Sequence, residues 1–189
     1  AELEQLVSDI TPAWHATALA QTLLKLTAPG VPDTYQGTEI WDLSLVDPDN
    51  RRAIDWELRR ELLDRAVRST AAEAMADSNS GLPKIWLIKR VLDLRSQQPE
   101  LFGTVARYQP IAASGVESDR VIAFVRGGEA VTVAPRFNLR GGEWRDTAIE
   151  LAAGEWRNVL TDETVAGGRV EIGRLLSGFP VAVLVPQVG

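Results

Sequence analysis

At Phe102 the chain changes its pattern, and that change limits what it can fold into more than any other feature. Before it, apolar residues recur at helical spacing over long stretches; after it, short β-rich runs alternate with glycine-rich turns. The first half predicts helices at 12–27, 57–76 and 83–97. Thr11 and Pro12 form a start signal for the first helix, and Ala28-Pro29-Gly30 form its stop. Val31-Pro32-Asp33-Thr34-Tyr35 reads as a short strand between the first two helices. The second half predicts strands at 104–111, 120–126, 130–135, 145–151, 155–160, 169–172 and 180–186, with turns at Gly-Gly, Asn-Leu-Arg-Gly-Gly and Ala-Ala-Gly. Val121–Val125 and Val181–Val185 are apolar throughout, as strands buried on both faces would be.

Composition narrows the class. With 189 residues, 45% of them hydrophobic, the chain can bury a core for one ordinary domain or two small ones, which argues against disorder. A net charge of −6 argues against nucleic acid and against anionic membrane as partners. All the lysines, Lys25, Lys84 and Lys89, precede Phe102, a split that fits two structural regions. No cysteine is present, so disulfides and thiolate metal sites are excluded and a cytoplasmic location is the expectation. No apolar run approaches the roughly 20 residues that span a bilayer. The first residues, Ala1-Glu2-Leu3-Glu4-Gln5, carry no signal-peptide pattern and read like a cut inside a longer chain.

The chemistry concentrates in residues 28–56. A strand that runs into a glycine-flanked polar loop and then a helix is how a (β/α)8 barrel presents side chains at its C-terminal face. This loop offers Tyr35, Gln36, Glu39, Trp41, Asp42, Asp47, Asp49, Asn50, Arg51 and Arg52. Such a mixture suits carbohydrate: Asp, Asn and Arg hydrogen-bond hydroxyls, and aromatic rings cover the apolar sugar face. The same residues also suit a plain turn, since Asp47-Pro48-Asp49-Asn50 is a strong turn signal and the arginines could brace it.

The run from Thr27 to Arg52, TAPGVPDTYQGTEIWDLSLVDPDNRR, resembles the eighth barrel strand and following loop of the maltooligosyltrehalose synthases, within the α-amylase superfamily. Its core, Pro-Gly-Val-Pro-x-x-Tyr-Gln-Gly-x-Glu, is shared widely in the superfamily; the extension Trp41 to Arg52 is more particular to the synthases. Ile88–Arg95, Val121–Arg126, Trp144–Thr147 and Phe179–Ala182 extend the resemblance over essentially the whole chain. It implies α/β plus all-β architecture, with residues 1–100 as the C-terminal end of a (β/α)8 barrel and 101–189 as an antiparallel β-sandwich. It also implies an isomerase of trehalose biosynthesis. That enzyme moves the reducing-end glucose of a maltooligosaccharide from an α-1,4 to an α,α-1,1 linkage and needs no cofactor. Retaining chemistry of this kind uses two carboxyl groups roughly 5–5.5 Å apart. In the family the catalytic acids lie on earlier barrel strands, so no catalytic residue is expected here; with a single histidine and no cysteine, no metal ligand is expected either. Of the loop residues above, Tyr35, Gln36, Glu39, Asp47, Asp49, Asn50, Arg51 and Arg52 are the expected substrate-binding set. The expected partners are the maltooligosaccharide and the missing N-terminal part of the enzyme.

Other readings stay open. Glu39 and Asp47 could form a carboxylate pair themselves, although eight residues of loop fix no separation. Trp86, Trp144 and Trp156 could stack on sugars, making the β-half a stand-alone glucan-binding module; tryptophans in small β-domains more often pack in cores. The fragment could be purely structural, or belong to another trehalose-pathway member of the superfamily. His15, the only histidine, reads as a helix-surface or packing residue.

Overall fold

The computed structural model describes residues 2–44 and 51–187. Its helices are α1 (Glu2–Thr27), α2 (Trp56–Arg68), α3 (Ala71–Ala76), α4 (Leu82–Gln97) and, late in the chain, the short α5 (Ile172–Leu175). The strands are β1 (Tyr108–Pro110), β2 (Ala113–Ser114), β3 (Val121–Arg126), β4 (Ala130–Pro135), β5 (Ala148–Asn158), β6 (Thr164–Glu171) and β7 (Ala182–Pro186).

Several local expectations are corrected. Helix α1 begins at Glu2, ten residues before the expected start, and Pro12 lies inside it. Proline cannot donate to the Ser8 carbonyl, but Ser8 is exposed and water can serve instead. Thr11 does not cap; its hydroxyl donates back to the Val7 carbonyl. The helix expected at 57–76 is two helices. Thr70 breaks it by a reciprocal capping box, its side chain accepting from the Glu73 N–H while the Glu73 carboxylate accepts from the Thr70 N–H. Residues 31–35 are not a strand. No strand lies alongside them among the described residues, and Val31 is 95% exposed.

All strand pairings are antiparallel, in the order β1-β3-β4-β7-β5-β2, with β6 added on β5. The strands thus form one continuous hydrogen-bonded sheet. Its path starts at β1 and ends at β2, which are neighbours in the chain separated only by Ile111 and Ala112, so the sheet curves back on itself. The Ala152-Ala153-Gly154 run, expected as a turn, is a bulge within β5, and the two strands expected around it are one. Opposite it, Gly167 comes so close that an added Cβ would meet the Ala152 carbonyl oxygen at 2.1 Å.

Two cores share this sheet in strict alternation along β4 and β7. Val131, Val133, Ala182 and Leu184 face a cluster inside the curve with Ile149, Trp156 and Ile172. The intervening Ala130, Ala134, Val181, Val183 and Val185 face the helices and join Leu19, Leu23, Trp86, Leu87 and Phe179. Strands β4 and β7 are therefore buried on both sides, as the unbroken apolar run Val181–Val185 implied; β3 is only partly so. Helix α4 sits at the centre of the helical layer, touching α1, α2 and α3. Its Trp86 ring meets Phe179 at 5.2 Å, and its Arg90 donates across to the Val159 carbonyl, in the turn just after β5. The helices and the sheet consequently hold residues 31–44 and 51–55 against a fixed frame.

Candidate functional site

Helix α1 ends where Ala28 N–H closes the last turn on Leu24, and Pro29 and Gly30 turn the chain outward. Tyr35 to Thr38 then form a tight turn: Thr38 N–H donates to the Tyr35 carbonyl at 3.1 Å and its hydroxyl donates there at 2.7 Å. Gly37 occupies the third position with φ +91°, which a β-carbon disfavours.

Arg59, one turn into α2, fastens this turn. Its Nη2 donates to the Gly37 carbonyl (2.6 Å), Nε to the Glu39 carboxylate (3.1 Å) and Nη1 to the Asp55 carbonyl (3.0 Å). One guanidinium thus ties the Gly37–Glu39 turn to Asp55 at the start of α2. The fork geometry and five donors of arginine make this possible where lysine could not. The second oxygen of Glu39 receives the Gly37 N–H. Glu39 is therefore occupied as a brace within the loop.

Further along, the chain is pinned to the helical layer. The indole N–H of Trp41 donates to the Ser78 carbonyl (2.6 Å), and Lys84 Nζ donates to the Ile40 carbonyl (3.0 Å). Burial lowers the Lys84 pKa from its ordinary value. Gly81, φ +86°, permits this approach, since a Cβ there would lie 2.7 Å from the Ile40 Cβ. Trp41 also stacks on His15 with centroids 4.6 Å apart and planes 13° apart, and Trp14 closes the cluster at 5.4 Å. His15 is buried, and burial lowers its pKa. It is a packing residue, one of the two roles expected for it. Asp42 folds over Ser44, accepting from its hydroxyl (2.6 Å) and N–H (2.9 Å); these bonds hold the Asp42 carboxyl below the usual range.

The result is an open cleft of about 350 Å³, within the ordinary size of small-ligand sites, lined by Tyr35, Gln36, Asp42, Ser44, Arg52 and Asp55 among others. Tyr35 is half-exposed, and neither its hydroxyl nor the Gln36 amide has a partner among the described residues. Asp55 caps α2 by accepting the Leu58 N–H, and its second oxygen has no partner among the described residues. Phenol, amide, carboxylates and guanidinium together give donors and acceptors without a dominant charge, suited to a neutral polyhydroxyl ligand.

The expected binding residues divide as follows. Tyr35, Gln36 and Arg52 line the cleft; Glu39 braces it; Arg51 is exposed beyond its lining. Asp47, Asp49 and Asn50 lie outside the described residues, so any Glu39–Asp47 pairing does too. Asp42, offered by the loop but left out of the expected binding set, lines the cleft as well; the sequence pattern did not single out Ser44, Asp55 or Arg59 as part of this site. Only Asp55 carried a local signal, as an Asp immediately before a helix. No cluster of three His, Cys, Asp or Glu side chains fit for a metal is found among the described residues.

Comparison with known proteins gives a consistent picture. No family model matches the chain. A Mycobacterium tuberculosis (strain H37Rv) protein that carries the name putative maltooligosyl trehalose synthase is 39% identical over 186 residues, covering 97% of this chain and 22% of that protein. The structure of maltooligosyltrehalose synthase from Arthrobacter ramosus superposes with a TM-score of 0.85 at 40% identity, over 98% of this chain and 24% of that one. The crystal structure of a Sulfolobus tokodaii hypothetical maltooligosyl trehalose synthase superposes with a TM-score of 0.68 at 30% identity, over 97% of this chain and 22% of its own. The chain thus spans about a quarter of the length of these relatives. Over nearly all of its length, it corresponds to the C-terminal portion of maltooligosyl trehalose synthases.

Proposed function

We propose that this chain forms one wall of the sugar site in a maltooligosyltrehalose synthase, and that the reacting acids belong to the preceding polypeptide. The carrying observation is the Tyr35–Arg59 cleft. It is a rigidly braced rim with unpartnered phenol and amide groups, in a chain that matches such synthases at 39–40% identity.

In this reading residues 31–35, unpaired among the described residues, take the place of the last barrel strand once the preceding polypeptide supplies their neighbours. Their lack of a pairing neighbour among the described residues and the exposure of Val31 fit a segment whose partners lie elsewhere in the polypeptide. Leu3, Leu6, Val7 and Ile10 form an exposed apolar stripe on α1 at helical spacing, which fits the same assembly. The curled sheet of β1–β7 is then the β-sandwich module that follows the barrel. Glu39 and Arg59 act as braces. Tyr35, Gln36 and Arg52 reach the sugar, with Asp47, Asp49 and Asn50 as further candidates on the same loop. The reaction moves the reducing-end glucose from an α-1,4 to an α,α-1,1 linkage. This chain contributes binding and exclusion of water, and no catalytic acid.

The experiment is a comparison of two proteins with maltopentaose. The complete polypeptide should produce a trehalose-ended product, and the 189-residue chain should produce none. Turnover by the chain alone would overturn the placement of the acids. Hydrolysis to maltose and glucose by the complete polypeptide, without the new linkage, would overturn the synthase reading.

A further inference from the structure

Three tryptophans, Trp86, Trp144 and Trp156, were candidates for contact with sugar, and two of them are closed. Trp86 is 2% exposed and donates its indole N–H to the Ser69 carbonyl. Trp156 is 6% exposed and donates to the Ala152 carbonyl. Trp144 differs. It lines a cleft of about 420 Å³ between α1 and the strand half, and its indole N–H is neither enclosed nor partnered among the described residues.

Arg120 lies over the Trp144 ring, 4.5 Å from its centre, and lines the same cleft while being only 4% exposed. Its Nη1 donates to Glu117 at 3.3 Å, and its Nε is enclosed without a partner. Nη2 is not enclosed and has no partner among the described residues, and the cleft is the opening that Arg120 lines. A nearly buried guanidinium that uses so few of its five donors is a costly arrangement unless a ligand takes the rest.

The surroundings select the ligand. Asp9 on α1 and Glu117 beside Arg120 place two carboxylates at the site, which disfavours an anion. A wholly apolar ligand would leave the Arg120 and Trp144 donors unpaired. Pro12, Pro135, Leu139 and Pro180 supply apolar walls. Donors, a carboxylate acceptor and apolar walls together match a neutral sugar with hydroxyls at its edge and C–H groups on its faces. Since Arg120 already covers one face of Trp144, contact is through the indole edge.

We propose that this cleft is a second glucan-binding site, separate from the Tyr35–Arg59 cleft, taking a short α-glucan through Arg120, Trp144 and Asp9. The choice of an α-glucan rests on the proposed function; the site itself rests on the geometry.

Titration calorimetry of the 189-residue chain with maltoheptaose tests it. Saturable binding is expected. Trp144→Phe, which keeps the ring under Arg120 but removes the N–H, should weaken it about threefold to tenfold. Leu139→Arg, at a residue 75% exposed, fills the cleft and should abolish binding without shifting the urea midpoint. Absence of saturable binding by the unaltered chain overturns the proposal, as does unchanged affinity in both variants. Loss of binding in Tyr35→Ala but not in Leu139→Arg would place the glucan in the other cleft and overturn it equally. A complete polypeptide that makes trehalose-ended product while this chain binds nothing refutes the second site alone; binding here without that activity refutes the functional reading alone.

Discussion

Replacing Arg59 by alanine removes a single side chain that joins Gly37, Glu39 and Asp55. The guanidinium side chain is 14% exposed and its carboxylate partner 27%, so the pair is largely but not wholly withdrawn from water. A hydrogen bond involving a charged group contributes about 1.5–3 kcal/mol when buried. The two bonds to backbone carbonyls and the one to Glu39 are not additive, because loss of any one loosens the others. Partial exposure lowers the sum further. We expect Arg59→Ala to cost about 2–3 kcal/mol in urea unfolding followed by tryptophan fluorescence. The Arg59–Glu39 coupling itself, from a double-mutant cycle with Glu39→Gln, should be about 1 kcal/mol and should shrink in roughly 0.5 M salt. Arg59→Lys should recover less than half the loss, since one ammonium cannot reach the three acceptors on the turn and at Asp55. A cost under about 0.5 kcal/mol, or full recovery by lysine, would show that the loop is held by something other than this fork.

Three further outcomes follow from the same geometry. Gly81→Ala forces a β-carbon into the left-handed region and against the Ile40 Cβ, and should cost about 2–4 kcal/mol in the same unfolding assay; a neutral effect would refute the close seating of residues 40–41 on α4. Thr70→Ala removes half of a capping box and should cost about 1 kcal/mol, with no change if α2 and α3 are a single continuous helix in solution. His15 is buried with a lowered pKa, so the unfolded chain takes up its proton first and stability falls as the pH drops below about 6.5. Asp42 and Asp77 are held below their ordinary range by hydrogen bonds from Ser44 and Arg65, so their contribution is present above about pH 4 and is lost below it. The His15→Phe variant should therefore show a flatter stability curve between about pH 7 and pH 5, measured by urea midpoints; parallel curves would contradict the burial of a neutral imidazole.

Much of this architecture was legible in the sequence, and the reasons differ by element. The change at Phe102 is a change of hydrophobic period, and a period is a local property. The double burial of β7 was legible because only a strand covered on both sides can be apolar at every position of Val181–Val185. The split between α2 and α3 was also written in the chain, as Thr70-x-x-Glu73, but a helix-compatible run on either side masked it. Pro12 misled because proline marks a first turn far more often than a helix interior, and the ten residues before it are mostly exposed, without a packed face to reveal them. The strand expected at 31–35 depends on neighbours in space, which no local pattern supplies.

For the cleft, residue type was legible and role was not. Tyr35, Gln36 and Arg52 line it as a polar loop suggested, yet nothing in the sequence separates Glu39, which braces, from residues that face the opening. Arg59 lies 20 residues from Glu39 and 22 from Gly37, and its role exists only once α2 is docked. The resemblance to the synthases pointed to residues 27–52; the hydrogen bonds separate the brace from the cleft lining among those that are described.

The most direct test of the sugar-site reading is the kinetics of Gln36→Ala in the complete polypeptide with maltopentaose. Gln36 is exposed and its amide has no partner among the described residues, so the change leaves the brace intact. A fall in kcat/KM of about threefold to tenfold with an unaltered urea midpoint is the predicted result. Unchanged kcat and KM, together with unchanged kinetics for Tyr35→Ala, would contradict the account: the rim would then face no sugar.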